Sequence, residues 1–135
     1  METHLKVIGA ILIVLALVHA FFPKYFRWDE ELRLLSLINR QLMEVHTFFI
    51  AFIILLMGVL CLLDTHDLVH SRLGRHICFF LGVFWFVRLL IQHLGYSSKL
   101  WKGKRFETTV HLLFSFLWCY MSAAFFLVAL NQTIF

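Results

Sequence analysis

Leu42-Met-Glu44-Val-His46-Thr-Phe-Phe-Ile-Ala-Phe-Ile-Ile-Leu-Leu-Met-Gly58-Val-Leu-Cys61-Leu-Leu63 decides the fold of this chain. The nineteen residues from Val45 to Leu63 carry no formal charge. A helix needs about 20 apolar residues to cross a bilayer. The run has no period-2 alternation and no internal turn residue other than Gly58, so it predicts a transmembrane helix rather than a strand. Three further runs have the same character: Leu5 to Phe22, Ile77 to Leu94 and Thr108 to Leu130. Hydrophobic residues make up 61% of the 135 positions, above the roughly 45–50% apolar content of soluble domains. The expectation is an all-α, up-and-down four-helix transmembrane bundle in one domain. Catalysis, if any, must then take place within or at the rim of the bundle.

Lys6 before the first run, with Val18-His19-Ala20 at its end, would also suit a signal peptide. We read the run as a helix. Pro23 follows it and should end it, since proline lacks the N–H that continues a helix. Lys24-Tyr-Phe-Arg27-Trp28 mixes aromatic and basic residues as headgroup-level anchors do. From Asp29 to Asn39, apolar residues at Leu32, Leu35, Ile38 and Leu42 predict an amphipathic helix at the interface or leading into the second span. Gly95 to Glu107 reads as a loop anchored by Tyr96 and Trp101, and Asp64 to His76 as a short polar connection.

Four of the eight histidines mark the span ends. His19 closes the first span, His46 opens the second, His93 closes the third and His111 opens the fourth. An up-and-down path puts these four ends on one side of the membrane. A weak internal repeat supports this layout. Arg40, four residues, Val45-His46, two residues, Phe49 matches Arg105, four residues, Val110-His111, two residues, Phe114. Two helical hairpins related by an axis along the membrane normal would oppose His19 to His93 and His46 to His111.

Cations set the orientation, because Lys and Arg concentrate in cytoplasmic connections. The histidine side carries Lys24, Arg27, Arg33, Arg40, Lys99, Lys102, Lys104 and Arg105, against Lys6, Arg72 and Arg75 on the other. The histidine side should face the cytoplasm of a bacterial inner membrane, with both termini outside. Contact of these cations with anionic lipid fits the same topology. They do not call for a nucleic-acid partner.

Neutral imidazole is the commonest protein ligand for transition metals. The expected metal ligands are His19, His46, His93 and His111, with Glu107 as a fifth ligand or as acceptor for the second ring nitrogen of His111. Iron, copper or zinc suits such a donor set. Haem b is the alternative, with two of the four as axial ligands. The Phe-rich core and the scarcity of glycine, with only Gly58 and Gly82 within the middle spans, weigh against a macrocycle. Cofactor contacts are expected from Arg40, Arg88, Gln92 and Arg105. A site at this depth favours lipid-soluble substrates such as a quinone or a fatty chain, giving a membrane oxidoreductase or an electron carrier. An accessory or scaffold subunit with a purely structural histidine layer is the third reading.

Arg88 lies well inside the third span and calls for a partner, with Glu44 one candidate and the aqueous rim another. Arg40 and Glu44 are spaced for a helix ion pair. On the fourth span Glu107, His111, Ser115, Trp118 and Ser122 share one face that should turn inward. In the outer connection Asp64, His66, Asp67 and His70 include an HxxxH pair, but polar residues in a solvated loop need no metal. Cys61, Cys78 and Cys119 form no CxxC pattern and read as buried small hydrophobes. A Cys61–Cys78 disulfide would require an oxidising outer face.

Overall fold

The structure is a computed structural model that describes residues 1–131. It is all helical among these residues, with four long helices: α1 (Glu2–Tyr25), α3 (Leu37–Leu63), α5 (Arg72–Leu94) and α6 (Arg105–Asn131). Two short ones, α2 (Trp28–Glu31) and α4 (Thr65–His70), lie in the connections. By length and composition all four long helices can cross a membrane. Large apolar side chains such as Leu17, Phe48, Phe80 and Phe116 stand exposed along them. A bilayer accommodates such faces; water would not. The chain is a membrane protein.

Each long helix outruns its apolar stretch, because flanking polar residues continue the backbone ladder and cap it. Ser36 and Ser71 are the N-caps of α3 and α5, accepting from the backbone N–H of Asn39 and Gly74. Ser36 also explains why the amphipathic helix expected from Asp29 to Asn39 is interrupted. Its side chain starts a new helix, so the segment becomes α2, a 3₁₀ turn at Leu32–Leu34 and then α3. Only Leu32 of that segment is buried. Pro23 does not end α1, which runs two residues further. So near the helix end a single missing N–H is tolerated. The expected loop at Gly95 to Glu107 holds a 3₁₀ turn, Ser98–Leu100.

The chain divides into two compact units. The first comprises residues 1–4 with the chain from His66 onward, and the second comprises Leu5–Thr65. In the second unit, α1 and α3 approach at Gly9 and Gly58. A Cβ on Gly58 would stand 2.9 Å from the Gly9 carbonyl oxygen. Small residues let membrane helices pack backbone to backbone in this way.

In the first unit α5 and α6 form a closely packed hairpin. Ser122 donates to the Gly82 carbonyl at 3.1 Å, and Phe126 fills the notch over Gly82. Trp85 and Trp118 stack at 5.1 Å. The α4 helix folds onto the start of α5, where Gly74 leaves no room for a Cβ beside the Leu68 backbone. Of the three cysteines, Cys61 and Cys78 are buried, whereas Cys119 is exposed, contrary to the expectation of three buried thiols. It lies one residue past Trp118, on the outward face of α6.

Candidate functional site

The hairpin end formed by the last turns of α5 and the first turns of α6 holds a connected polar and aromatic cluster. Four residues per step along α5 put Arg88 below Gln92, and Gln92 faces His111 of α6. Gln92 and His111 are buried; Arg88 is half-buried. Arg88 donates to Gln92 Oε1 at 3.2 Å, and Trp118 Nε1 donates to the same oxygen at 3.4 Å. Gln92 Nε2 lies 2.8 Å from His111 Nδ1. The guanidinium of Arg88 also stands over the rings of Trp118, 5.0 Å away, and Tyr96, 5.7 Å away. An amide and two aromatic faces, rather than a carboxylate, thus accommodate the intramembrane cation.

The donors fix the direction of every bond in this chain. Guanidinium and indole N–H groups can only donate, so the Gln92 atom they meet is the amide oxygen. Its NH₂ therefore points at His111, and His111 Nδ1 must accept. A neutral imidazole has one proton, which then sits on Nε2. Among the described residues Nε2 meets no acceptor. His111 is held as an oriented N–H donor.

Rings complete the enclosure. Trp101 stacks on His111 at 3.9 Å and 11°, and His93 meets it edge-on at 5.1 Å. Thr108 of α6 donates to the Trp101 carbonyl at 2.6 Å, pinning the loop that delivers the indole. The sequence marks Trp101 only as a membrane anchor. Nothing in its spacing reveals the stack, because a loop rather than a helical period brings it to His111.

The remaining expected site residues are placed as follows. His93 is exposed apart from its edge contact. Glu107 is exposed, and the Nδ1 partner of His111 is Gln92. Arg105 is exposed and Arg40 half-buried. Of the inward face expected on α6, His111, Trp118 and Ser122 are buried, Ser115 is partly so, and Glu107 is not.

In the second unit, His19 Nδ1 lies 2.8 Å from the Leu15 carbonyl and His46 Nδ1 lies 2.7 Å from that of Leu42. A carbonyl can only accept, so both rings carry their proton on Nδ1 and offer the Nε2 lone pair. Arg40 and Glu44 do not form the ion pair their spacing suggests; among the described residues the ion pairs lie elsewhere. Glu44 instead lines an open, largely apolar cavity of about 340 Å³ with His19, Ala16, Ala20, Ala51 and Phe52. His46 is not on that wall, as the rotation of about 200° between residues two apart requires.

No family model, curated protein or solved structure matches the chain. Function therefore rests on the chemistry of these groups.

Proposed function

We propose that this membrane protein binds a membrane-dissolved molecule with a carbonyl or quinone-type head group at the α5–α6 end. The observation that carries this reading is the Nε2–H that the Gln92 bond leaves on His111, a ring stacked on the Trp101 indole and met edge-on by His93. A flat acceptor head group would take that hydrogen bond. Arg88, two links away through Gln92, supplies positive charge that favours added electron density on the acceptor oxygen. The apolar tail would remain in lipid. The test is saturable quenching of tryptophan fluorescence by a short-chain benzoquinone, with the protein in lipid nanodiscs. His111→Leu should remove the saturable component and Trp101→Phe should shrink it. Unsaturable quenching in the wild type, or equal quenching in His111→Leu, would overturn the reading.

A second reading is favoured by the tautomers of His19 and His46. An Nδ1–H held by a carbonyl and a free Nε2 lone pair is how metal-bound histidines are commonly oriented. Iron, copper or zinc, or haem b, would use these two rings. Haem has less in its favour, since Phe126 and the Gly9–Ile13 turn already fill the notches at Gly82 and Gly58. Elemental analysis with an optical spectrum decides. A stoichiometric metal or Soret band lost in His19→Ala and His46→Ala supports this reading, and a metal-free, colourless protein rejects it.

The cation bias supports a bacterial inner-membrane location, with the α5–α6 end at the cytoplasmic face and the start of α1 outside. A cysteine at Lys102, in a background without native cysteines, should resist an impermeant thiol reagent in intact cells. Gly103 is the worse position for this test, because its φ of 78° strains any side chain. Labelling of Lys102→Cys would reverse the orientation.

A further inference from the structure

A different group of side chains gathers at the far end of the same unit. Glu2, in the first turn of α1, lies against His66 and His70 of α4. Its Oε1 is 3.1 Å from His66 Nδ1 and 3.6 Å from His70 Nδ1. The two imidazoles, four residues apart on one helical face, stack with centroids 4.3 Å apart. One ligand atom from each of the three residues falls within 4.8 Å of the others, and no other such group of three occurs among the described residues. The side chains retain 39%, 75% and 55% of their exposure for Glu2, His66 and His70, so an ion can arrive from the aqueous side.

We propose that Glu2, His66 and His70 form a binding site for a divalent transition-metal ion of the zinc or copper class. Two imidazole nitrogens and one carboxylate oxygen are the donors such ions take. The spacing agrees. With metal–ligand bonds of about 2.0–2.1 Å, adjacent donors stand roughly 2.9 Å apart at right angles and about 3.4 Å at tetrahedral angles. The two Glu2–imidazole distances, 3.1 and 3.6 Å, lie on either side of the tetrahedral value. Binding displaces the protons that now join the rings to their oxygens, and His70 gives up its 3.0 Å contact with the His66 carbonyl. Three protein donors leave at least one coordination position for water. The ion would also tie the first turn of α1 to α4.

The bland alternative is that Glu2 merely accepts a hydrogen bond from one surface histidine, His66, with His70 stacked beside it. Zinc titration of the full chain in detergent, its affinity tag removed and the protein freed of metal by chelation, separates the two. The wild type should take up one Zn²⁺ per chain at this site, and the His66→Ala/His70→Ala variant should lose it. Glu2→Gln should weaken it by more than the roughly 10–100-fold that loss of an outer-shell partner costs. His4→Ala, in the same turn region but bonded to Tyr120 at 2.9 Å, should bind normally. X-ray absorption of the zinc-loaded wild type needs no variant and should show two imidazoles with oxygen donors only. Absence of stoichiometric zinc, uptake unchanged in the double variant, loss of uptake in His4→Ala, or a sulfur shell would each overturn the proposal.

Discussion

At one end of the α5–α6 unit a pair of histidines is held through a glutamine; at the other, two histidines meet a glutamate. The ends are otherwise comparable, each with imidazoles in ring contact and a third polar side chain at hydrogen-bond distance. The partner makes them chemically opposite. Gln92 is locked by the donors of Arg88 and Trp118, so its NH₂ occupies the His111 Nδ1 lone pair and leaves the proton on Nε2. Glu2 has only acceptors, so His66 turns its Nδ1–H toward it, while His70 gives its own to the His66 carbonyl, and a cation can replace those protons. Burial follows the same division, since the amide, with its one half-buried guanidinium set over aromatic faces, tolerates the membrane, and a carboxylate with two titratable rings belongs at its edge. An imidazole's neighbour, more than its position in a span, decides whether it serves as donor or ligand.

The sharpest way to break this contrast is to exchange the partner. Gln92→Glu should accept from Arg88 and from a now-protonated His111 Nδ1, freeing the Nε2 lone pair. The variant is expected to gain a zinc equivalent absent from the wild type, dependent on His111 and insensitive to His66→Ala/His70→Ala. Unchanged zinc stoichiometry would show that the amide does not control the tautomer.

The next largest effect should come from the support of the exposed end. A Cβ at residue 74 would lie 2.5 Å from Leu68 Cα, and backbone cannot yield as a side-chain tip can. Gly74→Ala should cost about 1–3 kcal/mol, as overpacking does, and should weaken zinc binding by moving α4 from Glu2. Reversible unfolding and zinc titration measure the two consequences. Normal stability with normal zinc affinity would mean that α4 is not held by this contact.

Removing the amide without replacing it probes the buried end. Gln92→Leu leaves the donors of Arg88 and Trp118 and the His111 acceptor unpaired, at a cost of about 1–3 kcal/mol. Membrane hydrogen bonds average only roughly 0.6 kcal/mol, so a loss near that smaller value would show the network relaxing onto water. The mildest change is Trp101→Ala. An aromatic stack is worth about 0.5–1.5 kcal/mol, and its loss should loosen the 95–104 loop, read as faster amide exchange there. Exchange unchanged in that loop would show the stack to be incidental.

The helical class and the four membrane spans were legible in the sequence, because they depend on apolar runs longer than any turn signal. Arg88 was legible as an intramembrane cation in need of a partner, but the expected partners were Glu44 and the rim, whereas the structure supplies Gln92, one helical step along α5. Helix boundaries were less so. Ser36 reads as an ordinary polar residue until its hydroxyl is seen capping α3, and Pro23 as a stop until α1 is seen to pass it.

The chemistry of the histidines depended on contacts between segments far apart in the chain. The bond from Gln92 to His111 spans 19 residues, and that from Glu2 to His66 spans 64. No periodicity encodes such pairings; helix packing creates them. The HxxxH pair at His66 and His70 reads as a solvated loop until Glu2 is placed beside it. The sequence by itself determined that this chain is a helical membrane protein with imidazoles at the ends of its spans. Only the tertiary structure decided which of those nitrogens keep a proton, because that depends on the donor or acceptor each one faces.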